Sequence, residues 1–163
     1  MFRSISESVN RPIPVGTLGL SIDNTHPALA YFCSRSFSTP QWYSIVTESD
    51  SAVLDATSLK PIVQTIDNFE RNHKLGLIFE ARCMGGRLLV CTCRLWKLCG
   101  CGAAESLYRS LVVYGRSGCF CPGQELSEEE FEHIFETGKT EGSGRSGWES
   151  EIAGEAGAEP ETE

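Results

Sequence analysis

The chain of 163 residues lacks any long apolar stretch. No run approaches the roughly twenty consecutive apolar residues with which a helix crosses a bilayer. The first residues, MFRSISESVNRPIPVG, have neither the continuous apolar core nor the cleavage site of a signal peptide, and neither end carries a lipidation motif. We therefore expect no membrane partner and a reducing compartment.

The sequence also lacks the motifs of the common hydrolases and nucleotide-binding enzymes. It contains no GxSxG, no glycine-rich phosphate loop with a lysine and no HExxH. A cysteine nucleophile would need a base such as His73 or His133, and no Asn or Asp is recognisably placed to orient either ring. We therefore expect no enzymatic activity, with thiol redox chemistry as the enzymatic alternative.

Charge is distributed unevenly along the chain. The formal net charge is −8, yet residues 1–122 carry 12 Lys/Arg against 9 Asp/Glu, whereas residues 123–163 carry 2 against 13. The pattern indicates a basic module followed by an acidic tail. Residues 138–163 consist mainly of Gly, Glu, Ser and Ala, a composition that predicts disorder because it cannot bury a core.

The spacing of apolar residues predicts an α+β fold. A helix is predicted over 58–76, where Ser58 suits the N-cap and Pro61 falls in the first turn. The stretches WYSIV (42–46) and LVVYG (111–115) are rich in β-branched and aromatic residues and predict strands. AAESLYRS (103–110) predicts a short helix.

A β-hairpin is predicted from LGLIFEARCM (75–84) and RLLVCTCRLW (87–96), joined by a Gly85-Gly86 turn. In that register, Cys91 and Cys93 lie on the face opposite Cys83. The chain then divides into a β-rich lobe at 1–76 that ends in the amphipathic helix, a cysteine-rich module at 77–137, and the acidic tail at 138–163.

The last predicted helix lies in ELSEEEFEHIFE (125–136). Ser127 and Glu130 have the spacing of a capping box, and Leu126 can pack against Phe131 as a hydrophobic staple. We therefore expect a small cysteine-rich domain with β-hairpins and two or three short helices.

Cysteine is abundant where other features are scarce, since seven of the eight cysteines lie between positions 83 and 121. Six of them form three CxC pairs, at Cys91 and Cys93, at Cys99 and Cys101, and at Cys119 and Cys121. In a reducing compartment, clustered thiols bind metal more often than they form disulfides. The pairs, with His133 as a further ligand, therefore predict structural zinc. Iron–sulfur binding, redox sensing and core packing are the alternatives.

The cysteine-rich segment is also basic and aromatic. Cationic side chains alternate there with aromatic rings, an arrangement suited to phosphates and stacked bases. The residues expected at an RNA or partner-binding surface are Arg87, Arg94, Trp96, Lys97, Arg109 and Arg116. The alternatives are a solvated basic face with core aromatics, and a protein-docking role for the acidic last helix and tail.

A β-rich cysteine module followed directly by an acidic capped helix, CFCPGQELSEEEFEHIFE (119–136), resembles a known family. The layout is similar to the small cysteine-rich proteins encoded by the first reading frame of sobemoviruses, which are zinc-binding suppressors of RNA silencing in plants. The resemblance covers about residues 75–137 and is one of architecture. The family uses CxxC pairs where this chain has CxC.

The resemblance implies a viral protein of the host cytoplasm or nucleus that counters silencing and assists virus spread. Its partners would be host silencing proteins or small RNA, and it would act by binding. Carried over, Cys91, Cys93, Cys119 and Cys121 would be the two pairs of one zinc site, with the Cys99 pair as an addition. A cellular zinc-dependent regulatory module is the alternative.

Overall fold

The computed structural model describes residues 2–4, 18–68 and 72–135. In these ranges the chain forms an antiparallel sheet with helices on both faces, which confirms the α+β class. The strands are β1 (Phe2–Ser4), β2 (Gly19–Ile22), β3 (Asp50–Val53), β4 (Val63–Ile66), β5 (Lys74–Cys83) and β6 (Gly86–Cys91). The helices are α1 (Pro40–Thr47), α2 (Gly102–Arg116) and α3 (Glu128–Phe135), with short 3-10 helices at Pro27–Leu29 and Leu95–Leu98.

The long strand β5 is the centre of the sheet. The order is β1-β3-β5-β4-β2, and β6 forms a hairpin with β5. The chain leaving β6 runs between β5 and β3, because Thr92 N–H donates to Leu77 O at 2.9 Å and Thr92 O accepts from Asp50 N–H at 3.3 Å. A bridge between Ser49 and Cys93 extends this contact. The end of β6 is thus held between two neighbouring strands.

The two faces of the sheet bury separate apolar clusters. One face is covered by α1, α2 and the first 3-10 helix, and its cluster includes Trp42, Leu77 and Leu107. The other is covered by α3, and its cluster includes Phe79 and Ile134. Each large side chain buried in this way contributes about 1.5–3 kcal/mol. Along β6, alternate residues supply the two clusters, as the pleat of a strand requires.

Three of the secondary-structure predictions are wrong. Val63–Ile66 is a strand within the helix predicted over 58–76, because its β-branched residues alternate between buried and exposed and fill the gap between β2 and β5. WYSIV lies in α1, which begins at Pro40 and buries Trp42, Ile45 and Val46 at helical spacing. LVVYG belongs to α2, whose buried stripe continues to Tyr114.

The predictions of the β5–β6 hairpin and of the capping box of α3 are confirmed. The β5–β6 hairpin forms, although its turn is Met84-Gly85, with φ of 49° and 74°, and Cys83 pairs with Gly86. The α3 helix begins with the capping box, since Glu130 N–H donates to Ser127 Oγ at 3.1 Å and Ser127 N–H donates to Glu130 Oε2 at 2.9 Å.

The predicted lobes at 1–76 and 77–137 share one sheet, because β5 crosses their boundary. The predicted disordered tail lies outside the described residues.

Candidate functional site

A pocket of about 660 Å³ opens between the end of β6, the second 3-10 helix and the first half of α2. Its apolar walls come from all three elements, and Trp96 and Tyr108 stand exposed at its edge. Three thiols also line it, those of Cys91, Cys93 and Cys99. The lining residues are Leu89, Cys91, Cys93, Leu95, Trp96, Leu98, Cys99, Ala104, Glu105, Tyr108, Leu111 and Val112. We call Cys91 and Cys93 the floor of the pocket, and Trp96 and Tyr108 its rim.

Hydrogen bonding between the two floor thiols shifts the pKa of each in opposite directions. Cys91 is the last residue of β6, and Cys93 follows where the chain passes beside β3, so both side chains turn toward α2. The thiol hydrogen bond lowers the pKa of Cys91 against the opposing effect of burial, and the same bond together with burial raises the pKa of Cys93 well above its ordinary range. Of the two floor thiols, Cys91 is therefore the one that loses its proton first.

The other predicted metal ligands lie apart from the floor. Cys99 lines the pocket and donates from Sγ to Trp96 O at 3.2 Å, and half-buried Cys101 immediately precedes α2. Cys119 and Cys121 are exposed and follow the opposite end of α2, a helix about 22 Å long at 1.5 Å per residue.

The predicted zinc ligands are therefore not brought together into one set of four. His133 belongs to α3, on the face of the sheet away from α2. Throughout residues 2–4, 18–68 and 72–135, no group of three or more His, Cys, Asp or Glu side chains is placed to hold a metal ion. The floor supplies two sulfurs of the four that a closed structural zinc site uses. Structural zinc therefore stays a prediction. The three CxC pairs that were expected to bind it lie at separate places in the fold.

The predicted basic surface is largely engaged in contacts within the chain. Arg94 donates to Asp50 Oδ2 from Nη2 at 2.6 Å and from Nε at 3.0 Å, and Lys97 Nζ lies 3.7 Å from Glu48 Oε2. These two pairs attach the second 3-10 helix to the start of β3 and the end of α1. The cations next to the pocket therefore have carboxylate partners already.

The remaining cations of this set lie along α2 and the β6 hairpin. Arg87 donates to Phe120 O and stacks over the Phe120 ring at 5.3 Å from its centroid. Arg109 lies over the Tyr31 ring at 5.8 Å, and Arg116 ends α2. Most of the predicted nucleic-acid contacts thus stabilise the fold.

Two features of this region were not predicted from the sequence. The first is the pocket itself, whose walls combine Leu95 and Leu98 with residues of α2. The second is a buried polar network, in which Tyr114 Oη donates to Glu80 Oε2 at 2.7 Å and His26 Nε2 lies 3.5 Å from Glu80 Oε1. A lone glutamate within the apolar run LGLIFEA was the available signal, because a buried carboxylate needs partners.

The apolar side of α3 is part of the core. Ile134 is fully buried, and Phe131 and Phe135 pack on the same cluster with ring centroids 4.7 Å apart. The predicted staple is consistent with this packing, since Leu126 joins the cluster beside Phe131. The stripe that suggested partner docking by α3 is therefore occupied by the sheet.

The fold and pocket define a small α+β domain with an apolar pocket that three cysteines help to line. The chain belongs to the family of domains of unknown function DUF8487, whose model matches residues 1–136. The match includes every described residue and stops one residue after α3. No curated protein matches the chain. Among the described residues, no helix is long and apolar enough to cross a membrane.

Proposed function

We propose that this protein acts by binding a protein partner, and that the partner inserts an apolar or aromatic side chain into the pocket between β6 and α2. The observation that supports this proposal most directly is the pocket itself, an apolar cavity of about 660 Å³ with an exposed tryptophan at its rim. Trp96 is 71% exposed, although burying a ring of this size is strongly favourable. Exposed aromatic rings beside a concave apolar surface are typical of the anchor points of protein interfaces.

A protein partner fits this surface better than RNA does. Nucleic acid binding relies on cations that can neutralise phosphates, and Arg94 and Lys97 already pair with Asp50 and Glu48. Bases stack on flat aromatic platforms, whereas this site is a cavity with aliphatic walls. An apolar side chain uses such a cavity fully.

The partner segment is expected to be acidic around its anchor. Because Arg94 and Lys97 are paired with Asp50 and Glu48, the positive charge that a partner would meet comes from α2. Arg109 and Arg116 share α2 with the rim residue Tyr108. Carboxylates flanking an apolar anchor would therefore meet a positive field, which speeds and orients docking.

This binding role is compatible with the suppression of RNA silencing that the resemblance to the sobemovirus proteins implies. A suppressor can work by capturing a host silencing protein, and the pocket would be the capture site. A leaf assay of a silenced reporter tests the role directly. The role would be supported if the intact protein restored reporter expression and the Trp96→Ala variant did not. If the intact protein had no effect, the protein would be a docking module that does not suppress silencing.

The docking proposal is tested with designed peptides. Fluorescence anisotropy of a labelled acidic peptide with a central Trp-Leu pair would be compared with a peptide in which Gly-Ser replaces that pair. We expect binding of the first alone, weakened at least about tenfold by Trp96→Ala, because a central aromatic anchor is worth about 2 kcal/mol or more. Tyr43→Ala is the matched control, since Tyr43 is 75% exposed and lies on α1 away from the pocket.

A different result would contradict the proposal. Equal binding of the two peptides, or equal loss in the Trp96→Ala and Tyr43→Ala variants, would show that the pocket is not the docking site. Tight binding of a short RNA duplex, weakened by charge reversal at Arg94 and Lys97 while neither peptide binds, would favour an RNA partner.

A further inference from the structure

We propose that the partner segment docks as an added β-strand along the outer edge of β6, the edge that faces away from β5, and places its anchor side chain in the pocket. The inference rests on the docking proposal above and specifies the form of the ligand. That ligand is an extended acidic peptide, bound through its backbone as well as through its anchor.

The backbone of β6 leaves one row of hydrogen-bonding groups without a strand partner. Just after β6, Thr92 N–H donates to Leu77 O of β5 at 2.9 Å. Because the direction of hydrogen bonding alternates along an antiparallel strand, Leu88 and Val90 bond toward β5. The outward N–H and C=O groups are those of Arg87, Leu89 and Cys91. In the described part of the chain, none of these outward groups takes part in a hydrogen bond.

The edge of the sheet at β2 is covered, in contrast to the outer edge of β6. At β2, Ile22 N–H donates to Ser36 O at 3.1 Å, and Ser21 forms a bridge with Phe37. Proteins usually blunt an exposed edge with charges, proline or a bulge, because a bare edge recruits other strands. After Arg87, β6 reads LLVC, with no charge, no proline and no break in its register with β5. An edge of this kind is suited to strand addition.

The outer edge of β6 lies next to the pocket. Leu89 and Cys91 line the pocket, while their backbone groups belong to the open edge. In a strand added beside them, alternate side chains project to the same face as these two residues. A side chain opposite this part of β6 would therefore enter the pocket and meet Trp96 at its rim. One extended segment thus uses both the edge and the pocket, whereas a helix has no backbone groups free to pair with the edge.

The charge near this edge favours an acidic segment. Arg87 and Arg116 are exposed, and within the described ranges neither has a carboxylate partner. Arg87 stands over the Phe120 ring, which belongs to the cluster on the α2 side of the sheet. Arg116 follows Gly115, where an added Cβ would lie 3.9 Å from Leu89 Cδ2. Because Arg87 precedes the pocket residues of β6 by two and four positions, the segment should carry a carboxylate two or four residues from its anchor.

The same charges disfavour a second copy of this chain as the occupant. If two β6 edges paired antiparallel about a two-fold axis, the α2 sides of both copies would lie on one side of the joined sheet. Arg87 and Arg116 of both copies would then share that side, whereas the acidic first turn of α3 would lie on the other. Like charges brought together in this way oppose pairing, and a separate acidic peptide meets no such repulsion.

The first experiment uses the full chain and the labelled acidic Trp-Leu peptide in three backbone forms. One form is unmodified, and each of the other two carries N-methyl groups on a different alternate set of residues. In an added strand only one set of N–H groups faces β6, so one methylated form should bind at least about tenfold more weakly. The other form should bind within about threefold of the unmodified peptide, because its methyl groups point away from β6.

A pair of substitutions tests the same edge from the protein side. Arg87→Pro and Arg87→Ala both remove the guanidinium group, but only proline also removes the outward N–H. Proline is tolerated where a strand N–H faces outward, so both variants should fold, which circular dichroism checks. Arg87→Pro should bind the unmodified peptide at least about threefold more weakly than Arg87→Ala, because it lacks one hydrogen-bond donor.

Amide hydrogen exchange followed by NMR shows whether the edge is open and whether the peptide fills it. In the free chain, the amides of Leu88 and Val90 should exchange slowly and those of Leu89 and Cys91 quickly. With the unmodified peptide bound, exchange at Leu89 and Cys91 should slow by at least about tenfold.

Several results would overturn the proposal. Equal binding of the two methylated peptides would show that docking does not use the backbone. Slow exchange of Leu89 and Cys91 in the free chain would show that the edge is already covered, by a second copy if sedimentation shows a dimer and otherwise by the chain itself. If the unmodified peptide does not bind at all, the docking proposal fails and this one fails with it. If that peptide binds and both methylated forms bind equally well, only strand addition fails.

Discussion

Replacing Tyr114 with phenylalanine should destabilise the fold by removing one buried hydrogen bond. Tyr114 is 4% exposed and Glu80 is 6% exposed, and Tyr114 Oη donates to Glu80 Oε2 at 2.7 Å. A hydrogen bond to a charged group contributes about 1.5–3 kcal/mol. Glu80 would keep its contact with His26 at 3.5 Å, so the lower part of this range applies, about 1.5–2 kcal/mol.

Urea denaturation measures this difference. The Tyr114→Phe variant should unfold at a lower urea midpoint with an unchanged m-value, since the ring and its packing remain. Tyr108→Phe is the control, because Tyr108 lies on the same helix but is 61% exposed, and its change should stay within about 0.5 kcal/mol. Equal midpoints for the two variants would refute the argument that this bond stabilises the domain.

The same bond makes a separate prediction about pH. Burial, and then the hydrogen bond to Glu80, raise the pKa of Tyr114 far above its ordinary value. The contribution of Tyr114 is therefore fully present below the unfolded pKa of about 10 and declines as pH rises above it. The free energy of unfolding should fall more steeply above about pH 10 in the wild type than in Tyr114→Phe. Parallel curves for the two proteins would contradict the raised pKa.

Two further changes test the packing around the sheet. Gly76→Ala would place a Cβ 2.7 Å from Leu54 Cδ1 in the core under α3, so we expect a loss of about 1–3 kcal/mol by urea denaturation, whereas Gly123→Ala meets nothing within 4 Å and should be neutral. Ser127→Ala would leave Glu130 N–H without its capping oxygen, so the free energy of unfolding should fall by about 1 kcal/mol. The variant should therefore show a lower thermal midpoint. An unchanged midpoint would mean that α3 is held by its apolar face alone.

The α3 helix and the hairpin were predictable because local signals determine them. The capping box, the glutamates of the first turn and the spacing of Phe131, Ile134 and Phe135 all agree with one helix. In contrast, VQTI and WYSIV have similar β-prone compositions. Only the elements that pack against them determine that the first is a strand and the second part of a helix. Val63–Ile66 has strands on both sides, whereas Pro40 begins a helix whose buried face meets α2 and the sheet. Such long-range partners are not visible in a short window of sequence.

The hairpin shows why the thiol floor was partly predictable. The predicted turn at Gly85-Gly86 pairs Cys83 with Leu88, whereas the observed turn at Met84-Gly85 pairs Cys83 with Gly86. The two registers differ by two residues, an even shift, so every side chain keeps its face of the sheet. Cys91 and Cys93 therefore lie opposite Cys83 as expected, even though the pairing itself was wrong.

What the strand pattern could not predict is how the floor of the pocket is held in place. Thr92, which lies between the two floor cysteines, is shared between β5 and β3 through its backbone and its hydroxyl. The floor of the pocket thus depends on β3, a strand more than thirty residues earlier in the sequence.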